Sequence, residues 1–82
     1  MEREIIKGQV YRHFKGQLYK VRDIVFDAQV EKGEEPKKIV VYTALYGKYL
    51  EWARPYEIFA SEVDREKYPN ATQKYRFEEV EL

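Results

Sequence analysis

Two short alternating runs, Gly8-Gln9-Val10-Tyr11-Arg12-His13-Phe14 and Leu18-Tyr19-Lys20-Val21, flank Lys15-Gly16 and constrain the fold more than any other feature of the chain. Successive side chains of a strand point to opposite faces, so Val10, Arg12 and Phe14 share one face and Tyr11 and His13 the other. Gly16 supplies the positive φ that a tight hairpin needs. The segment therefore reads as a β-hairpin. Residues 7 to 22 contain Lys7, Arg12, Lys15, Lys20 and Arg22 and no Asp or Glu, which gives the hairpin a basic, aromatic solvent face.

The return strand runs from Leu18 to Phe26, but its alternation changes midway. Tyr19 and Val21 share one parity, while Ile24 and Phe26 fall on the other. One extra residue near Arg22-Asp23, a β-bulge, reconciles the two halves and bends the strand. The polar stretch Glu31 to Lys38 is an exposed loop. Ile39-Val40-Val41-Tyr42 is apolar on both faces, the mark of a central strand. Tyr46-Gly47 turns the chain, and Leu50, Trp52 and Arg54 alternate with Glu51 and Ala53 until Pro55 removes a ladder donor. Helical spacing of Ile58, Phe59, Glu62 and Val63 predicts a short helix or 3₁₀ turn within 56–63. A turn at Pro69-Asn70 precedes a last short strand at Tyr75-Arg76-Phe77. The expected fold is mainly β: a small, strongly bent antiparallel SH3-like barrel of about five strands with one short helical turn.

Eighty-two residues provide one core, so residues 1–82 are expected to form a single domain. The aromatic share of 16%, with eight Tyr, suits β-sheet. There is no cysteine, hence no disulfide framework and no thiolate nucleophile or ligand. No apolar run approaches the roughly 20 residues that span a bilayer, so no membrane partner is expected. Residues 1–6 lack the pattern of a secretory signal, and a cytoplasmic location is the expectation. Fifteen Lys and Arg balance fifteen Asp and Glu, which weakens any case for bulk electrostatic capture of nucleic acid or membrane. The halves differ: residues 1–42 carry nine basic against seven acidic side chains, and residues 43–82 carry six against eight.

His13 is the one side chain that titrates near neutral pH unaided. Its plain reading is a strand histidine sharing a face with Tyr11 and hydrogen-bonded to a neighbour; a binding role and general acid–base work are the alternatives. Catalysis needs a nucleophile or orienting carboxylate within reach, and no spacing ties Ser61, Thr43 or Thr72 to His13. The carboxylates Asp23, Asp27, Glu51 and Glu57 follow no catalytic spacing and read as a solvated face. One histidine without cysteine makes a transition-metal site unexpected, and isolated glycines make no phosphate loop. No catalytic residue, metal or cofactor is therefore assigned.

Trp52 and Arg54 share strand parity and project from one face. Trp52 is expected to fill the core, with Arg54 at the barrel mouth in an ion pair. The alternative is a surface pair that stacks on a base or grips a proline-rich peptide. Tyr42, Tyr46, Tyr49 and Tyr56 lie near turns, and the exposed members of that set form a recognition surface.

Three segments together resemble a known family. They are Tyr11-Arg12-His13-Phe14-Lys15-Gly16 with Leu18-Tyr19-Lys20-Val21, then Val41-Tyr42-Thr43-Ala44-Leu45-Tyr46-Gly47, then Trp52-Ala53-Arg54-Pro55 through Phe59. In this order they are similar to the uncharacterised, mostly bacterial family called domain of unknown function 1653, over about residues 8 to 60, with an echo at Arg76-Phe77 and a tail over 74–82. The resemblance implies an SH3-type barrel and carries no catalytic residues, because no activity is established for the family. Ile58 stands where the family commonly has methionine, a volume-conserving change. The loop at Glu31 to Lys38 is longer than the family's usual one.

The leading functional expectation is a non-catalytic interaction module. Its ligand-binding set is Tyr11, Arg12, His13, Lys15, Tyr42, Tyr46, Trp52 and Arg54, although alternation separates Arg12 from His13. The expected ligand is a peptide, single-stranded nucleic acid or a small anionic ligand. The alternative is a small enzyme, or an accessory domain of one, with His13 as proton carrier and Arg54 as anion clamp. The chain is expected to be a monomer or a weak homo-oligomer.

Overall fold

The computed structural model describes residues 3–81; Met1, Glu2 and Leu82, which belong to the terminal segments read above, lie outside the described residues. The chain forms β1 (Val10–His13), β2 (Leu18–Phe26), β3 (Lys38–Ala44), β4 (Glu51–Pro55), α1 (Tyr56–Phe59) and β5 (Phe77–Glu79). All five strands join one antiparallel sheet in the order β4-β3-β2-β1-β5.

The hairpin forms where the alternation requires it. Gly16 N–H donates to the His13 carbonyl at 2.7 Å, and His13 N–H donates to the Gln17 carbonyl at 2.8 Å. Gly16 takes φ 108°, the glycine step that returns the chain after the first turn. The β2–β3 register shifts between Val21 and Asp23, so Arg22 is the extra residue of a bulge. Val21 ahead of it and Ile24 beyond it both turn toward the core, as the parity change demands. β3 lies between β2 and β4, consistent with its two apolar faces.

The core consists of Ile5, Tyr11, Val21, Val40, Tyr42, Phe59 and Phe77, on one face of the sheet and under α1. Phe59 supplies the helix's buried side chain. The short helix expected within 56–63 is α1, four residues long. Ser61 Oγ donates to the Ile58 carbonyl at 2.6 Å, and the chain then extends, so that Glu62 bridges Tyr75. The last strand also begins later than expected, at Phe77, because Tyr75 makes this isolated bridge instead.

The five strands form one sheet that is not closed by hydrogen bonds: β4 and β5 are its two edges and do not pair. β4 ends at Pro55, which lacks a ladder donor, and the chain turns there into α1. Side chains span the gap instead. The Phe59 ring on α1 stacks on the Phe77 ring of β5 with centroids 4.0 Å apart.

Candidate functional site

Cross-strand register determines which side chains meet on the core face. Tyr11 lies opposite Tyr19, His13 opposite Phe77, Tyr42 opposite Trp52 and Val40 opposite Arg54. Directly opposed residues of an antiparallel pair share a face. At the inner positions this face is sealed core; toward the hairpin and the β4 edge it opens to solvent, and there His13, Tyr19, Tyr46, Trp52 and Arg54 form its outer layer.

Aromatic edges hold that layer together. The Tyr19 ring lies 5.4 Å from Tyr42, 5.6 Å from Tyr46 and 5.6 Å from Phe77, each near perpendicular. The Tyr19 and Tyr46 hydroxyls share a 2.7 Å hydrogen bond. The His13 ring sits 4.9 Å from Phe77, edge to face, and 4.5 Å from Phe14. Arg54 brings its Cζ to 5.7 Å from the same Phe77 ring.

Charge in this layer is one-sided. Burial, then the positive charges of Arg54, Arg76 and Lys15, push the His13 pKa from its ordinary 6.5 down to about 4. His13 is therefore a neutral imidazole near pH 7. Its Nδ1 accepts the Lys15 backbone N–H at 3.1 Å, which leaves Nε2 as the protonated nitrogen. Burial also raises the phenols of Tyr19 and Tyr42, and the Arg54 charge opposes both shifts. Among the described residues the one ion pair is Lys7–Asp23, at 3.7 Å, so no carboxylate lies within pairing distance of Arg54, Arg76 or Lys15.

The structure divides the residues expected to bind. His13, Tyr46, Trp52 and Arg54 come together on one face. Tyr42 lies beneath them, 4% exposed, and Tyr11 is wholly buried with its hydroxyl accepting the Ile6 N–H at 2.9 Å. Neither of those two rings is available at the surface. Arg12 projects from the other face, opposite Leu18 and Glu78. Lys15 sits at the hairpin tip with its Nζ 5.2 Å from the Tyr68 ring.

Two expectations are corrected here. Trp52 does not fill the core but is 49% exposed, because β4 is an edge strand and Tyr11, Tyr42, Phe59 and Phe77 already occupy the interior. Arg54 makes no ion pair among the described residues and lies instead beside the Tyr42 hydroxyl. Sequence reasoning missed Tyr19, Arg76 and Phe77 as members of this layer. Tyr19 was recoverable, since it pairs with Tyr11 across a three- to four-residue turn.

Away from this layer, a concavity of about 750 Å³ lies between α1, the loop before β3 and the N-terminal segment. Lys37 and Lys38 there face Glu35, Glu57 and Glu62, so its charge is mixed. Arg3, on its wall, is already engaged: its guanidinium donates to the Ala60 carbonyl at 3.1 Å and the Phe77 carbonyl at 2.6 Å and stacks 4.0 Å over Tyr75. Among the described residues no cluster of three or more His, Cys, Asp or Glu side chains is placed to hold a metal ion, and no helix is long and apolar enough to cross a membrane.

A five-stranded antiparallel sheet with one helical turn, bearing an aromatic and cationic open end, defines a small all-β domain. A family model described as a protein of unknown function, DUF1653, matches residues 9–79, and the chain belongs to that family. No curated protein and no solved structure matches the chain.

Proposed function

We propose that the protein is a non-catalytic interaction module whose core-side face, at its open end, binds an anionic ligand. One observation carries the reading: Arg54, Arg76 and Lys15 bear on a neutral His13, and no carboxylate among the described residues pairs with any of the three. Arg76 donates from Nε to Ser61 Oγ at 3.5 Å and Arg54 lies beside the Tyr42 hydroxyl, contacts that leave both positive charges without a carboxylate among the described residues and suited to a ligand's negative charge. The strand order and the helix that covers the gap between β4 and β5 support an SH3-type barrel closed by side chains rather than by a ladder.

His13 is assigned a hydrogen-bonding role. A pKa of about 4 makes it a poor proton carrier near pH 7. Ser61, the one serine, is committed to the Ile58 carbonyl and supplies no nucleophile beside it.

Amide spectra of the ¹⁵N-labelled chain, titrated separately with inorganic phosphate, an oligoglutamate peptide and an oligonucleotide, test the reading. Signals of residues 13, 19, 46, 52, 54 and 76 are expected to move with at least one of these. If all three leave those signals in place at low salt, the face is not an anion site.

A further inference from the structure

We infer that the ligand of this face is single-stranded nucleic acid, with a base stacked on Trp52 and backbone phosphates held by Arg54 and Arg76. The inference deepens the anionic-ligand reading and rests on it.

Trp52 and Arg54 leave the same face of edge strand β4, two residues apart, which sets them about 6.6 Å apart along the strand. That separation matches one step of an extended nucleotide chain, base to neighbouring phosphate. Trp52 is half exposed and has no ring partner among the described residues, and Tyr46 is 45% exposed above the Tyr19 hydroxyl. Tyr49, next in the same turn, is held at φ 53°, a left-handed conformation unusual for a large side chain, and keeps its ring in solvent. Flat open rings beside uncompensated guanidinium groups are the two components of a single-strand track.

The alternatives use only half of this set. An acidic peptide neutralises Arg54 and Arg76 but offers nothing flat to Trp52 and Tyr46. A proline-rich peptide packs on the rings and leaves the guanidinium groups uncompensated. Single-stranded nucleic acid presents a ring and a phosphate at every step. Duplex nucleic acid hides its rings in the stack, and α1, the one helix among the described residues, is a single four-residue turn, too short to read a groove. With zero net charge, the chain contacts only the two or three phosphates this layer reaches.

Trp52 is the one tryptophan, so its fluorescence reports stacking at this position alone. The full chain is titrated at low salt with an oligodeoxythymidylate of about ten nucleotides, a length within the range of small single-strand sites. A duplex of equal length, inorganic phosphate and oligoglutamate are titrated in parallel. Saturable quenching is expected with the single strand and not with the other three. The slope of log affinity against log salt should lie at about −1.4 to −2.1, for two or three phosphates on a single strand. By anisotropy of a labelled oligonucleotide, Trp52→Phe and Arg54→Ala should each weaken binding roughly tenfold, the range of one lost stack or charge-assisted contact. Arg12→Ala, on the opposite face, should leave it within about twofold. Far-UV circular dichroism shows that each variant is folded, and Arg54→Lys, which keeps the charge, should recover part of the loss. The inference is overturned if the single strand fails to quench Trp52, if duplex binds equally, or if Arg12→Ala weakens binding as much as Arg54→Ala. A silent oligonucleotide with amide shifts from phosphate or oligoglutamate removes this inference and leaves the anion site standing. Silence toward all of them removes both.

Discussion

The Phe59 and Phe77 rings stack face to face, with centroids 4.0 Å apart and planes within 5° of parallel. One ring comes from α1 and the other from β5, so the contact spans the gap that the unpaired edges β4 and β5 leave. Both rings are wholly or almost wholly buried. A chain of this size retains only several kcal/mol of net stability, about 0.05–0.15 kcal/mol per residue. Phe77→Ala should therefore cost about 3–5 kcal/mol and leave much of the protein unfolded at 25 °C. Phe77→Leu should cost less and keep a cooperative transition. Urea denaturation followed by far-UV circular dichroism measures both; a loss below 1 kcal/mol for the alanine variant would show that the stack is not what holds the open side together.

Trp52 gives the opposite expectation. Although it is the largest side chain in the protein, it is half exposed on an edge strand. Trp52→Ala should cost about 1–2 kcal/mol, set by half a ring's burial, against the 3–5 kcal/mol of a core aromatic. Comparing its urea midpoint with that of Phe77→Ala ranks the two directly. A tryptophan variant as unstable as the phenylalanine one would return Trp52 to the core.

The hairpin turn isolates a pure backbone cost. Gly16 holds φ 108°, and a Cβ placed there meets no atom within 4 Å. Gly16→Ala should lose about 1–2 kcal/mol through conformation alone, with no steric contribution. Chemical denaturation is the measurement, and Gly16→Asn should recover part of the loss because asparagine tolerates positive φ better than alanine. Equal stability of the alanine variant and the parent would mean that the turn relaxes at no cost.

The features legible from the sequence are those set by neighbours along the chain. The parity change between Val21 and Ile24 located the bulge at Arg22, the two-sided apolar run at 39–42 marked a central strand, and Pro55 marked the end of β4. The features that were not legible depend on distant pairing. His13 meets Phe77 through the β1–β5 ladder, and nothing in local alternation says that the two will share a face. Trp52 was misplaced for a related reason. Parity gives the side of a sheet but not the depth, and depth at Trp52 follows from β4 being an edge and from Phe59 and Phe77 filling the interior. Tyr11 shows the same limit in reverse: it shares His13's parity, yet it lies at the bottom of the face and His13 lies near its rim.

His13 links this arrangement to pH. Burial acts first on its imidazole, followed by Arg54 from β4, Arg76 from the segment before β5 and Lys15 from the hairpin tip, and the pKa falls from 6.5 to about 4. Between those values the unfolded chain carries a proton on this ring that the folded chain does not. Its contribution to stability is thus fully present above pH 6.5 and is lost as pH falls toward 4. The ring is only partly buried, so solvent screening holds the effect to the order of 1 kcal/mol. His13→Gln has no ionisable ring and should show a flatter dependence than the parent over pH 6.5 to 4.5, while carboxylates shared by both proteins cancel in the comparison. Urea midpoints of the two proteins at several pH values within that window measure the difference. A bound phosphate adds a sign of its own: negative charge beside the three cations should move the His13 titration upward, and ring-proton shifts with and without phosphate read that directly. Parallel stability curves for parent and variant would place His13 at its ordinary pKa, outside the influence of Arg54 and Arg76.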